Sequence, residues 1–432
     1  MESKMSDEFL IKELGTLLYN GSNRDDINAI APKIQRDLKK SFKQVLGEVE
    51  EEIKEKTKEF LEKRNDQGET YVDGISTCIY LPDRERGNLK LTLYGGVDNS
   101  NNKVDECTLF DVAGITELFT LILTFKLADE GYFNLNDKVA DLDPRFSGLE
   151  DFTINDLLLM TGEIQTDGRI RDAKDVKEAN EKLESVHVTS NNRSTNKYTD
   201  LGAMVLAKVM EKVVSEKEGK TIEFDDIMCN YITDVMPNTR FNKNEIIVGG
   251  NFAGNGNKEG LVHDPKTRII GGMSGAAGLF STSEDLSILA DDLFAVNYKG
   301  IEPLLSKQEL IKIGTMTFPD SVQNNKGLLG VYQKNPDRAS KWLAPLIYGD
   351  NTFTAQGFTG AATTYDFRNQ IHNNFMINSI KDGAPKKPDG FIDEFKKYQY
   401  FIVEKTMELL VAKKFAELSN SRIEVEKTLH IK

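Results

Sequence analysis

Apolar residues recur at helical spacing from the start of the chain. Phe9, Leu10, Leu14, Leu17 and Leu18 form one such set, and Gly21 follows as a stop signal. After Pro32, a favoured first-turn residue, the positions Ile34, Leu38, Phe42, Val45, Leu46, Val49, Ile53, Phe60 and Leu61 lay a narrow stripe along a long amphipathic helix. Its polar face is basic early (Lys39, Lys40, Lys43) and acidic later (Glu48, Glu50, Glu51, Glu52). That order runs against the helix dipole, so tertiary packing or a partner must hold the helix. The stripe lacks sustained heptads, which favours a helix lying on the domain's own sheet over a partner-binding coil. Two β-like runs, Ile75 to Leu81 and Leu89 to Tyr94, flank the turn-rich residues 82–88 and predict a hairpin.

From Ile115 to Leu127 nearly every helical face is apolar, which predicts a helix buried all round. A polar stretch from 163 to 197 reads as a long excursion. A helix from Leu201 to Val214 follows, then irregular sequence through Leu261. Ser281 or Thr282 is placed to cap a helix beginning near Glu284. Two further β-like runs, Ala361 to Asp366 and Asn374 to Asn378, precede an amphipathic helix from about Ile392 to Leu418.

Composition narrows the function. The 432 residues are 39% hydrophobic, enough for a substantial core, and the net charge of −14 argues against nucleic acid as a partner. No apolar segment approaches the roughly 20 residues that span a bilayer, and the first residues lack a basic region followed by an apolar run. A cytoplasmic location is the expectation. Cys78, Cys107 and Cys229 are widely separated and in no ligand spacing, so they read as reduced structural thiols, with no metal or other cofactor implied.

The chemistry concentrates in Phe110-Asp111-Val112-Ala113-Gly114-Ile115-Thr116-Glu117-Leu118-Phe119-Thr120. This segment resembles the Phe-Asp-hydrophobic-Ala-Ser-hydrophobic-Thr-Lys-hydrophobic-Phe-Thr frame of the penicillin-recognising serine hydrolases: class C β-lactamases, DD-peptidases and related esterases. In that family the serine is the acyl nucleophile and the lysine, one turn later, helps remove its proton. Here those positions hold Gly114 and Glu117. Residues 153–163 resemble the family's T-I-R-x-L-L-T-H-T-S-G helix and turn, with Met160 and Gly162 at its His and Ser positions. His263-Asp264 and the run from Gly271 to Leu286 resemble the H-D and G-G-x-x-G-H-A-G-L-F-S-T-x-E-D-L segments of esterase-type members.

The resemblance covers about residues 70–385 in the family's order. It implies an α/β fold of the serine β-lactamase/DD-peptidase type, an antiparallel sheet flanked by helices with a mostly helical insertion. The implied division is a helical extension over 1–66, a discontinuous sheet domain over 67–112 and 262–432, and an inserted helical domain over 113–261. Tyr198-Thr199-Asp200-Leu201-Gly202 is similar to the family's tyrosine motif, so Tyr198 stands where the proton-shuttling tyrosine would. The third motif is broken: Phe353-Thr354-Ala355-Gln356-Gly357-Phe358-Thr359-Gly360 follows F-G-H-T-G-F-T-G but carries Ala355 for His and Gln356 for Thr.

Glycine has no atom able to attack a carbonyl. A carboxylate at Glu117 also disfavours tyrosinate, so Tyr198 is expected to be a neutral phenol. The resulting expectation is a pseudoenzyme with no catalytic residues, binding a ligand around Gly114, Glu117, Tyr198, Asp200, Gln356 and Gly357. That ligand is a small molecule in the old substrate cleft or a protein partner. Two alternatives stay open: a repurposed enzyme using Glu117, Tyr198 and Asp200 as acid and base, and an assembly protein associating, even as a homo-oligomer, through residues 1–66. Structural roles compete at each residue. Tyr198 could simply bond Glu117, Glu117 and Asp200 could sit in salt bridges, and His263 could fix its loop through Asp264. His187, His372 and His430 show no ligand spacing. Ser274, in Gly272-Met273-Ser274-Gly275-Ala276, is a poor match to a nucleophile elbow, and Trp342 could line the cleft or belong to the core.

Overall fold

The computed structural model describes residues 40–66, 68–83, 87–98, 100–194, 197–242, 252–253, 260–316, 327–333, 351–377, 391–418 and 425–431. The helix expected near residues 9–18, the start of the long amphipathic helix and Trp342 lie outside these residues.

Helix α1, Phe42–Glu62, is fixed at its start by a reciprocal capping box between Ser41 and Gln44. It leads into strands β1, Gly74–Leu81, and β2, Leu89–Gly96, the expected hairpin. Near the other end of the chain come β9, Tyr332–Gln333, β10, Thr352–Gln356, β11, Ala362–Asp366, β12, Ile371–Ile377, a long helix Phe391–Leu418, and β13, Val425–His430. Together they make a seven-stranded sheet in the order β13-β2-β1-β12-β11-β10-β9.

Every pairing in it is antiparallel except one: β13 runs parallel to β2. The sheet is otherwise the antiparallel one expected, with this parallel strand added at its edge. The parallel pairing arises because the chain returns along the long helix Phe391–Leu418 before laying down its last strand. The run expected at Asn374–Asn378 is longer and begins earlier, since Ile371 already pairs with Asp366 across a tight turn.

Both faces of the sheet are covered, which the period of two along β1 makes plain. Ile75, Ile79 and Leu81 point to one side, where they meet Val45, Val49, Ile53 and Phe60 of α1 and Ile402, Leu409 and Leu410 of the C-terminal helix. Cys78 and Tyr80 point to the other side, into a second core. Ion pairs made by two buried lysines close the outer layer. Lys405 of the long helix meets Glu52 of α1 and Glu408, and Lys413 reaches Asp83 at 3.0 Å.

The second core belongs to the middle of the chain. A three-residue strand β3, Leu109–Asp111, delivers the chain to helix α2, Ile115–Asp129. As the all-apolar pattern predicts, α2 is enclosed on all sides, with Ile115, Leu118, Phe119, Leu121 and Ile122 fully buried. Around it lie α3, Ile154–Leu159, α4, Val176–Glu184, α5, Leu201–Glu218, and α6, Phe224–Tyr231. The polar excursion is an ordered unit in which a short hairpin of β4, Glu163–Gln165, and β5, His187–Ser190, brackets α4. Strands β6, Arg240–Phe241, and β7, Phe252–Ala253, join β3 and β8, Leu279–Ser281, in a small second sheet.

Two further helices complete this side: α7, Pro265–Ile269, and α8, Ser283–Phe294. Thr282, not Ser281, caps α8, accepting from the Asp285 amide; the Ser281 hydroxyl instead meets Thr239. Beyond α8 lies α9, Lys307–Thr315, and the helix Phe391–Leu418 is α10. No helix among the described residues is long and apolar enough to cross a membrane.

Candidate active-site cleft

The cleft is organised by a carboxylate that no motif comparison singled out. Asp111, at the end of β3, is fully buried, and its Oδ1 accepts the Ala113 amide at 2.9 Å. Its Oδ2 accepts both the His263 amide at 2.7 Å and His263 Nδ1 at 3.0 Å. Burial alone would raise the Asp111 pKa, but His263 beside it outweighs that and holds the carboxyl below its usual range. Burial likewise works against the imidazolium, and Asp111 outweighs it, raising His263. Each partner thus favours the charged form of the other. The pairing corrects the expectation that His263 bonds Asp264, whose carboxylate instead caps α7 by accepting the Thr267 amide at 2.8 Å. Sequence neighbourhood suggested the wrong acid because the true one arrives from a strand more than a hundred residues earlier in the chain.

What Asp111 secures is a strained turn. Ala113 sits at φ +49, a region a β-carbon disfavours, immediately before Gly114 at the N-terminus of α2. The tip of the β10–β11 hairpin is pinned to the same turn. Thr359 donates its hydroxyl to the Asp111 carbonyl at 2.7 Å, and a β-carbon on Gly357 would fall 2.3 Å from the Val112 carbonyl oxygen. Only glycine permits that approach.

Gly114 faces into this junction. A β-carbon added to it would lie 2.9 Å from the Gln356 carbonyl oxygen and 3.8 Å from Glu117 Oε2. Its backbone, at φ −64 and ψ −7, is ordinary for any L-residue, so the crowding comes from β10 and not from torsional strain. One turn into α2, Glu117 is only 4% exposed, and its two oxygens stand 3.1 Å from the Tyr198 hydroxyl, which donates to them. Tyr198 as a whole is 44% exposed, while its hydroxyl meets the buried Glu117 carboxylate. Burial first, then the Glu117 and Asp200 carboxylates, push the phenol's pKa well above its normal value. Tyr198 is thus a neutral donor, as the carboxylate at 117 predicts.

Asp200 does not join Glu117. Its carboxylate is paired with Lys266, on the first turn of α7. Burial disfavours the Lys266 ammonium, but Asp200, Asp264 and, more remotely, Glu117 outweigh it and raise its pKa. The cleft therefore contains a lysine after all, supplied by another element and bound to a different acid. Sequence reasoning missed it, although one signal was available: a lysine just inside a helix N-terminus opposes the dipole and calls for a carboxylate partner.

Two more groups come from the segment before β10. Gly330, at φ +73, lies against the Tyr198 ring and the Glu117 carboxylate, so that a β-carbon there would meet Tyr198 Cε2 at 2.9 Å. Tyr332 of β9 is close enough to act on Tyr198 electrostatically.

The broken third motif is where β10 should present it. Ala355 is buried at 2% exposure and offers no polar atom beyond its backbone, while Gln356 contributes the carbonyl that crowds Gly114. The remaining candidates have structural roles. Ser274 bonds Thr267 at 2.9 Å and accepts the Ala277 amide at 3.2 Å, fixing its own turn. His372 is fully buried, with Nδ1 donating to the Thr364 carbonyl at 3.1 Å and Nε2 accepting from Asn374 at 3.0 Å; burial drives its pKa down to about 3. His187 meets the Ser185 carbonyl, and His430 lies beside Tyr94. Among the described residues no group of His, Cys, Asp or Glu could hold a metal ion.

Residues 71–389 match the family model described as Beta-lactamase. A Teichoic acid D-alanine hydrolase of Staphylococcus aureus is 24% identical over 254 residues, 57% of this chain and 60% of that protein's own length. Among solved structures, EstCE1, a hydrolase with promiscuous acyltransferase activity, superposes with a TM-score of 0.60 at 14% identity, covering 83% of this chain and 99% of EstCE1. The octameric penicillin-binding protein homologue from Pyrococcus abyssi gives 0.51 at 18% identity, over 87% of this chain and 78% of that one. At these identities the structural likeness concerns the fold.

Proposed function

The chain belongs to the beta-lactamase family, and from that premise we propose that it is a member that no longer acylates and works by binding, either a small molecule in the former substrate cleft or a protein partner. One observation carries most of the weight. At the nucleophile's position Gly114 has no reactive atom, and the space a serine would use is bounded by the Gln356 carbonyl and the Glu117 carboxylate. In a serine hydrolase, removing the nucleophile lowers turnover on the order of 10⁶-fold.

The surrounding groups favour binding over a repurposed acid and base. Tyr198 is a phenol with its pKa pushed upward and its proton directed at Glu117, and Asp200 is paired with Lys266. A general acid or base works best with a pKa near the operating pH. The Gly114, Glu117, Tyr198, Asp200, Gln356 and Gly357 surface is then a ligand platform, held in shape by the Asp111–His263 pair beneath it.

Incubation with a fluorescent penicillin and with activated esters, read by intact-protein mass, tests the reading. The expected result is an unmodified mass and ester turnover no faster than buffer. A stoichiometric covalent adduct on any cleft side chain overturns it. A cytoplasmic location and a homo-oligomeric state belong to the same proposal. Cell fractionation and light scattering decide them.

A further inference from the structure

A second cavity, of about 480 Å³, lies at the opposite end of β10 from Gln356. Asn351, immediately before β10, and Phe367 and Arg368, immediately after β11, form one wall; α9 supplies Lys307 and Leu310, and Asn297 closes the side. Helix α9 can lie this close to the hairpin base because Gly314 faces Asn351, where a β-carbon would already be 3.2 Å from its Cα.

The polar lining is one-signed. Among the described residues, Lys307 and Arg368 both face the cavity, no carboxylate lines it, and neither cation is in an ion pair. Two described acids that adjoin the lining in sequence are committed elsewhere. Glu309 accepts the Ser306 amide at 2.7 Å in the capping box of α9, and Asp366 accepts the Arg368 and Asn369 amides at 3.0 and 3.1 Å. In a chain with a net charge of −14, two unpaired cations sharing one concavity with two carboxamides stand out against the acidic surface. Leu310 and Phe367 add an apolar floor beside them.

From this combination we propose that the cavity is a binding site for a small anion, a phosphate or carboxylate group carried on a short apolar body. Arg368 would engage the anion through paired N–H donors and Lys307 as a point charge, with Asn297 and Asn351 taking remaining oxygens. An occupant would tie α9 to the base of the β10–β11 hairpin, whose tip borders the Gly114 cleft about 14 Å along the strand.

Calorimetric titration and thermal unfolding of the full chain with inorganic phosphate and, separately, butyrate test the proposal, with sodium chloride at matched ionic strength as the control. Saturable binding of one or both is expected, and a Lys307→Gln/Arg368→Gln variant should weaken it by about tenfold or more. Both substitutions are at exposed side chains, and an unchanged melting curve without ligand verifies folding. Saturation by phosphate alone supports a phosphorylated ligand, and saturation by butyrate alone supports a carboxylate. The proposal fails if neither anion saturates, or if the variant binds as well as the parent.

Discussion

Replacing Gly114 by alanine, and then by serine, probes the central feature of the cleft in two steps. The backbone at 114 already has right-handed torsions, so a side chain there should reduce the freedom of the unfolded chain and stabilise by about 0.4–1 kcal/mol if space allowed. Space does not allow it: the new β-carbon would sit 2.9 Å from the Gln356 carbonyl, closer than β-carbons approach carbonyl oxygens. Strand β10 cannot readily retreat, because Gly357 abuts the Val112 carbonyl and Thr359 is bonded to Asp111. Overpacking of this kind costs about 1–3 kcal/mol, so Gly114→Ala should destabilise by about 1–2 kcal/mol. Urea unfolding with an unchanged slope measures it. Serine adds a hydroxyl next to Glu117 but no amine to activate it. Gly114→Ser should therefore remain unlabelled by penicillin, and Gly114→Ser/Glu117→Lys should recover little, because Ala355 and Gln356 leave the third motif unrepaired. A neutral or stabilising Gly114→Ala would refute the argument from crowding. Stoichiometric acylation of the serine variant would refute the argument from chemistry.

The cleft and the sheet make further predictions. Tyr198→Phe deprives the buried Glu117 carboxylate of its phenol donor and should cost about 1–3 kcal/mol in urea unfolding, with Glu117→Gln costing less. His372 has a folded pKa of about 3 against an unfolded value of 6.5, so the folded state resists a proton that the unfolded chain accepts. Its contribution is complete above pH 6.5 and lost as pH falls toward 3, about 1.4 kcal/mol per pH unit and about 2 kcal/mol by pH 5. Unfolding curves of the parent and His372→Gln between pH 7 and 5 should show that extra slope only in the parent. The Asp111–His263 pair has the opposite sense on its histidine side. His263 stabilises fully below 6.5 and loses its contribution as pH rises through its raised pKa; Asp111 stabilises above 3.8 and loses its contribution as pH falls through its lowered one. Asp111→Asn removes the carboxylate that favours the protonated His263 ring, so burial should drive that ring to its neutral form; urea unfolding should find the variant less stable than the parent near pH 6, with the gap narrowing at alkaline pH as the parent's ring also loses its proton.

Features set by neighbours in the chain could be read from the residues alone. The all-apolar run from Ile115 predicted an enclosed helix, and alternation predicted the β1–β2 hairpin; both stand in the structure. The frame around Gly114 and Tyr198 implied that Glu117 and a phenol meet, and they do, at 3.1 Å. Contacts made between distant segments were not readable. Asp111 and His263 belong to different elements, so nothing local distinguished Asp111 from Asp264 as the partner. Lys266 reaches Asp200 only because α7 folds across the start of α5. The parallel β13 was hidden for a related reason: a short strand with mixed polarity carries no periodic signal that says which edge it will join.

That last strand has a consequence for biosynthesis. Residues 74–96 leave the ribosome long before their neighbours on either side, Ile371–Ile377 and Val425–His430, which are translated hundreds of residues later. The central helices have their partners to hand much sooner, because α2 to α6 are nearly contiguous. Emergence order thus favours a nascent chain whose helical middle condenses first, while the earlier hairpin waits half-paired, its apolar faces in need of shielding, until the later strands emerge and complete the sheet.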